Sequence, residues 1–294
     1  QGPQADEHTP LMLRLSLLLL VGPLDALRVA VTGAGGQTGQ HAFRKLLALP
    51  EFEPVGIVRS EESKAALVKS GVPADAVTVA DVTDEAAIAA ALAGCDALII
   101  GTSAKPAPSG ETDESTGRPI FGFPNGQPEA VDWLGQKSQI DGAKAAGAIH
   151  VVLCSSMGGT DPGNMLNALG RESLPDGSTK GGDILLWKRK AEKYLIDSGV
   201  PFTIVHPGGL LNEPGGKRQL VLGVDDERTV GERSIPREDV AEVLVQALRI
   251  PAYRGRSFDL RSMNEGEGAV TTDFAALLDE LGGRDCDYSL GKMA

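Results

Sequence analysis

The sequence predicts an α/β fold: a doubly wound parallel sheet with helices on both faces. Two observations predict it. Short apolar runs with the composition of buried strands alternate along the chain with segments of helical period, so each pair of strands is joined by a crossover. The first apolar run feeds straight into a glycine-rich turn and a helix, in the stretch LRVAVTGAGGQTGQ at 27–40. Crossovers of this kind are right-handed and force neighbouring strands to be parallel.

The elements follow in order. Leu27 to Val31 reads as a buried strand broken only by Arg28, and His41 to Leu49 as a helix stopped by Pro50. Glu53 to Val58 is the second strand. A helix over 61–69 follows it, with Ser60 as N-cap. Ala76 to Ala80 and Ala97 to Ile100 are strands flanking a helix over 83–92. The segment 103–130 breaks the rhythm, because 103–128 holds five prolines and four glycines. A connection that long is a functional loop or a surface insertion. Here it leaves the carboxyl end of a strand, where open α/β sheets bind ligands. A helix over 131–146, a strand over 149–153, a second polar loop over 158–182 and a helix over 183–197 ended by Gly199 come next. The strand 202–205 runs into His206-Pro207-Gly208-Gly209. The rest reads as a short strand at 219–223, helices over 237–249 and 272–281, and a strand at 257–260 that together make a small C-terminal substrate-side region.

Residues 27–294 therefore form one domain without internal repeats, preceded by an extension, 1–26. The leucine-rich segment 11–21 is interrupted by Arg14 and Ser16 and is too short to span a bilayer. It reads as an amphipathic or buried helix, with the remnant of a targeting segment as the alternative; no transmembrane span is expected. The net charge of −12 argues against an electrostatic nucleic-acid binder. Three widely spaced cysteines, Cys95, Cys154 and Cys286, and four scattered histidines make no metal motif, so no metal site is expected and the thiols read as reduced.

The glycine turn carries the chemistry. Strand, glycine turn and helix start in that order make a dinucleotide-binding, Rossmann-type unit. Gly33 permits the tight turn, Gly35 or Gly36 lets the backbone approach a diphosphate, and Gly39 lets the helix pack close. Amides of the first helical turn then face the phosphates. At the end of the second strand an acid would accept from a ribose 2′-hydroxyl. This chain has Arg59, whose guanidinium suits a 2′-phosphate or is simply a solvated charge. NADP is favoured over NAD, against the nearby charges of Glu61 and Glu62. Asp81 either accepts from an adenine amino group or caps the next helix.

The segments VTGAGGQTGQ, GIVRS, DVTD, VDWLGQKSQIDGAKAAG, SSMGGTDP, ILLWKRKAEKYLIDSGVPFTIVHPGGLL, IPREDVAE and FDL occur together in this order. In them the chain resembles the atypical short-chain dehydrogenase/reductase family, most closely its plant and algal NmrA-like branch. The resemblance implies that Gly33, Gly36 and Gly39 hold the diphosphate with Thr38 in the same turn. It further implies that Arg59 meets the 2′-phosphate, and Asp81 with Val82 the adenine. Thr102 and Ser103 would lie near the nicotinamide ribose, Ser155 and Ser156 would face the nicotinamide, and Lys188 would bond ribose hydroxyls. Active members of the wider family use Tyr-x-x-x-Lys. Aligning on Lys188 puts Ile184 where the tyrosine belongs, and Tyr194 lies on another helix face. Ser156, Lys188 and His206 remain as catalytic candidates, while Asp239 reads as a structural cap.

Two functions fit: an oxidoreductase on a small substrate with non-standard acid/base groups, or a non-catalytic NADP(H) sensor or scaffold acting through a protein partner. A cytoplasmic location is expected, with the plastid stroma as the alternative that the resemblance implies.

Overall fold

A computed structural model describes residues 26–112, 117, 119–227 and 234–294. The segment 11–21 lies outside the described residues. In chain order the strands are β1 (Leu27–Thr32), β2 (Phe52–Val58), β3 (Val77–Val79), β4 (Ala97–Ile100), β5 (Ala107–Thr112), β6 (Pro119–Gly122), β7 (His150–Cys154), β8 (Glu172–Ser173), β9 (Thr179–Lys180), β10 (Phe202–Pro207), β11 (Gly209–Leu211), β12 (Leu220–Gly223), β13 (Ser234–Pro236) and β14 (Arg256–Ser262). The α-helices are α1 (Gly39–Leu47), α2 (Glu61–Lys69), α3 (Glu85–Leu92), α4 (Gln136–Ala145), α5 (Ile184–Asp197), α6 (Arg237–Arg249) and α7 (Phe274–Asp279). Eight strands make one sheet in the order β12-β14-β10-β7-β4-β1-β2-β3, parallel throughout except for β12 at the edge. The winding reverses between β1 and β4, and the carboxyl ends of those strands form the crevice where such sheets bind ligands.

Strand residues alternate between two cores. Val29, Val31, Ile99, Val152 and Val205 point to a cluster with Phe43 and Leu46 of α1 and Val240 and Leu244 of α6. Ala30, Leu98, Ile100, Leu153 and Ile204 point the other way, onto Ile88 of α3, Ile140 of α4 and Leu195 of α5. Both faces of the sheet are covered, which is why its strands are continuous apolar runs rather than alternating ones.

Three expectations change in detail. The segment 103–130 carries an antiparallel hairpin, β5 on β6, so its prolines and glycines shape a ribbon. The helix expected from 131 opens as a π-helical turn, Glu129–Gly135, before it becomes α4. Helix α3 starts later than expected, with Asp84 as its N-cap accepting from the Ala87 amide. Ser60 caps α2 as expected, accepting from the Ser63 amide, and Gly199 follows α5 at φ +78°.

His150 shows how the core ties stability to pH. Thr203 Oγ1 donates to the Tyr253 carbonyl, so it accepts from His150 Nε2 at 2.9 Å. Burial, helped by the charge of Arg254, lowers the His150 pKa to about 4. A histidine with a depressed folded pKa adds stability that is complete above its unfolded value and is lost as pH falls from about 6.5 towards 4, up to about 3 kcal/mol. Urea unfolding at pH 7 and pH 4.5 should show this loss in the natural chain and a smaller one in His150→Asn. Equal losses in both would show that another group sets the acid limb.

Candidate nucleotide-binding site

The turn after β1 is shaped by backbone that leaves no room for side chains. Gly33 sits at φ +68°, and a Cβ there would lie 2.7 Å from the Gly101 carbonyl oxygen at the end of β4. A Cβ on Gly36 would stand 3.0 Å, and one on Gly39 2.2 Å, from the Gly33 carbonyl oxygen. Gly39 therefore closes the turn on itself, rather than mainly bringing helix to strand. A Cβ on Gly35 would meet only ordinary contacts, 3.5 Å from Val58 Cγ1. The amides of Gln37, Thr38 and Gly39 have no hydrogen-bond partner among the described residues. Gly35, Gly36 and Gln37 are exposed and Thr38 is half-buried, while Gly39 is buried at the head of α1. Free amides and a positive helix end fit an anionic diphosphate. Thr38 accepts from Arg237 at 3.4 Å, while Arg237 also donates to Asn212 at 2.8 Å; a cation thus stands beside the turn.

At the end of β2, Arg59 is exposed and donates to the Asn125 carbonyl of the loop after β6 at 2.9 Å. Among the described residues it makes no ion pair, and Glu61 and Glu62 are exposed at the head of α2. Arg59 thus retains donors for an anion. Asp81 does not cap α3; its carboxylate accepts from the amide and hydroxyl of Thr83 at 2.9 and 2.7 Å. Val82 packs on the apolar cluster beneath segment 103–130.

The other end of the crevice is rigid. Gln139 donates to Thr102 Oγ1 at 3.1 Å and Gln136 to the Thr102 carbonyl at 3.3 Å, while the Ser103 hydroxyl turns to the Ala104 carbonyl. Lys188 on α5 makes a buried ion pair with Asp132 of the π-helical turn at 2.8 Å. Asp132 in turn accepts from the Ala104 amide at 2.9 Å. This chain fixes the start of the loop that leaves β4. Lys188 keeps two further ammonium hydrogens for a hydroxyl ligand. Ile184, which the alignment on Lys188 puts at the family's tyrosine position, is buried with Ala104, Phe123, Val131 and Leu185. The Tyr194 hydroxyl is turned away, donating to Asp141 at 2.6 Å.

Ser155 and His206 belong to a buried polar cluster. Ser155 donates to Glu192. His206 Nε2 lies 3.1 Å from the other Glu192 oxygen, and His206 Nδ1 lies 3.6 Å from both Asp259 and the Cys286 sulfur. Burial pulls the His206 pKa down, but the Glu192 carboxylate and Cys286 push it up further and leave it well above its usual value. Burial raises Glu192, and the His206 charge and hydrogen bonds overcome this and lower it. Burial pushes Asp259 up to about 6 against the pull of His206. Ser156 donates to the Met157 carbonyl at 3.0 Å and stands by a small cavity beside this cluster. The structure thus ties Lys188 through Asp132 to Ala104, beside Ser103, holds Thr102 by Gln136 and Gln139, and joins His206 and Ser155 through Glu192. Asp239 does not cap its own helix: it accepts from the Gly216 amide at 2.6 Å and fastens a loop.

Asp132, Glu192 and Arg237 escape sequence reading, although each lies in a quoted motif. A carboxylate facing inward from an otherwise apolar helix side was the one signal for the first two. The sequence profile of the NAD(P)H-binding family matches residues 33–251. A chloroplastic Arabidopsis thaliana protein of uncharacterised function is 47% identical over 261 residues, 87% of this chain and 76% of the relative. Sanguinarine reductase of Eschscholzia californica is 44% identical over 277 residues, 87% of this chain and 96% of that enzyme. A Bacillus halodurans structure described as an NAD-dependent epimerase/dehydratase superposes with a TM-score of 0.63 at 25% identity, covering 87% of this chain and 100% of its own. The glycine turn, the strand order and these matches place the chain in the NAD(P)H-binding, NmrA-like branch of the atypical short-chain dehydrogenase/reductase family.

Proposed function

We propose that this protein is an NADP(H)-dependent reductase of a small substrate whose reduction asks for no proton from a protein phenol. The observation that carries the reading is the turn 33–39, where backbone fills three Cβ positions and three amides stay unpartnered. Gly33, Gly36 and Gly39 would admit the diphosphate to the amides at the head of α1. Thr38 and Arg237 stand beside it, and Arg59 would take the 2′-phosphate. Asp81 and Val82 would border the adenine, Thr102, Ser103 and Lys188 the nicotinamide ribose, and Ser155 and Ser156 the nicotinamide. Bound there, the cofactor supplies a hydride.

The chain's own groups limit what accepts it. Ile184 cannot protonate an alkoxide, so an ordinary carbonyl is poorly served. A cationic C=N group becomes neutral on reduction and needs no acid beside it. A cavity of about 440 Å3 between the two long segments, lined by Gln127, Glu129, Thr179 and Trp187, has the size of a small-molecule site. The likeness to sanguinarine reductase over nearly all of that enzyme supports a reductase. The chloroplastic relative supports the plastid stroma over the cytoplasm. Among the described residues no helix is long and apolar enough to cross a membrane.

The test is NADPH oxidation with cationic imines, quinones and simple carbonyls. Turnover on the first two classes, with little on the third, is expected. Tight NADPH binding without turnover on any class would instead identify a non-catalytic NADP(H) holder, the reading that the buried Ile184 favours. Failure to bind NADPH would overturn both. Separately, Arg59→Ala should weaken NADPH about 10- to 100-fold, the loss of a charged hydrogen bond or two, and leave NADH nearly unchanged. Equal loss of both nucleotides in a fluorescence titration would show that Arg59 does not meet the 2′-phosphate.

A further inference from the structure

The cluster behind Ser155 has one feature that reduction does not use. His206 on β10, Asp259 on β14 and Cys286 in the C-terminal segment converge, with their ligand atoms all within 4.8 Å of one another. They are 53 and 27 residues apart in sequence, so no spacing motif announces them. His206 Nδ1 is 3.6 Å from the Cys286 sulfur and 3.6 Å from Asp259 Oδ1. Tetrahedral zinc with ordinary bond lengths separates nitrogen from sulfur by about 3.6 Å and nitrogen from oxygen by about 3.4 Å. Two of the three edges already have about these lengths, and the third, from sulfur to carboxylate, is within 4.8 Å.

Each ligand is also held from behind. Glu192 lies 3.1 Å from His206 Nε2, which turns Nδ1 towards Cys286 and Asp259, where a cation would take the place of its proton; a carboxylate that orients a histidine in this way is the usual outer partner of a metal-bound imidazole. The Asp226 amide donates to Asp259 Oδ2 at 2.7 Å and leaves Oδ1 facing the ring. The Cys286 amide donates to the Ser257 carbonyl at 3.1 Å, which fixes its sulfur over β10. A cavity of about 10 Å3 beside Ser156, Thr160 and Asp226 has room for about one water as fourth ligand.

We infer that His206, Asp259 and Cys286 bind one zinc-class divalent cation, which fastens the C-terminal segment to the carboxyl edge of the sheet. Imidazole, thiolate and carboxylate together suit zinc or cobalt, whereas magnesium and calcium require oxygen donors throughout. A thiolate and one carboxylate neutralise a dication. Glu192 then remains beside the site with Arg189, which donates to the Asp287 and Leu290 carbonyls and lies 4.7 Å from the centre of the Tyr288 ring. The segment is thus already folded over the ligands, and the cation adds a cross-link to it. This site is independent of the nucleotide reading.

The full chain, stripped with a chelator, is titrated with Co2+ and then Zn2+. One cobalt per chain is expected, with a thiolate-to-cobalt charge-transfer band and the intense visible bands of tetrahedral cobalt, both abolished by Zn2+. Cys286→Ser should remove the charge-transfer band and Asp259→Asn should weaken it. Glu192→Gln should lower Zn2+ affinity about 10- to 100-fold, as loss of an orienting partner does elsewhere. Saturating Zn2+ should raise the thermal midpoint of the natural chain and leave that of Cys286→Ser where it was. Circular dichroism identifies any variant that fails to fold, and the remaining variants then decide. Absence of a cobalt band in the natural chain overturns the inference, as does a band unchanged in both Cys286→Ser and Asp259→Asn.

Discussion

Lys188→Met should destabilise the protein by about 3–5 kcal/mol, the cost of leaving one partner of a buried ion pair charged and alone. Lys188 and Asp132 meet at 2.8 Å with side chains 7% and 0% exposed. Without the ammonium, the Asp132 carboxylate keeps one neutral donor, the Ala104 amide. The double variant Asp132→Asn with Lys188→Met should recover much of the loss, since an amide oxygen still accepts from Ala104 and no charge is buried. Urea midpoints at unchanged slope measure both. A cost below about 1 kcal/mol would mean that the pair behaves as a solvated one. The same pair matters for binding. It anchors Ala104 near the start of segment 103–130, so Lys188→Met should also lower NADPH affinity while the double variant regains part of it.

Gly39→Ala should abolish measurable NADPH binding. The new methyl group would lie 2.2 Å from the Gly33 carbonyl oxygen, which belongs to backbone and cannot rotate away. The turn must open, and the amides of Gln37 to Gly39 lose their common direction. Forcing a methyl group into such a place costs about 1–3 kcal/mol of stability, so the chain should still fold while the site is spoiled. Gly35→Ala is the companion experiment. Its methyl group would meet Val58 Cγ1 at 3.5 Å and Ser63 Cβ at 3.7 Å, so the fold should be unaffected. If NADPH binding falls in Gly35→Ala as well, Gly35 faces the diphosphate; if it does not, that role belongs to Gly36. Normal NADPH binding by Gly39→Ala would remove the turn from the site.

Legibility followed the range of the forces involved. Strands 97–100 and 202–207, the helix at 61–69 with its Ser60 cap, and the helix at 237–249 could be read nearly to the residue, because period and capping act within a few positions. The hairpin β5–β6 is not legible in the sequence, because prolines and glycines mark a turn-rich ribbon and an irregular loop alike. The π-helical opening before α4 is not legible in the sequence, because a π turn has the same side-chain period signals as an α turn, and its buried Asp132 meets a lysine 56 residues later. His206 could be placed at a strand end from the sequence, but not its burial beside Glu192, Asp259 and Cys286.

By itself the sequence determined the α/β class, the glycine turn at 33–39 and the loss of the usual phenol at Ile184, since each depends on local sterics or on the identity of one side chain. Only the tertiary structure decided that Lys188 pairs with Asp132, that Arg59 reaches the loop at Asn125, and that four side chains from β10, α5, β14 and the C-terminal segment share one buried cluster. Those contacts depend on strand order and on which helix covers which face, and no local period encodes either.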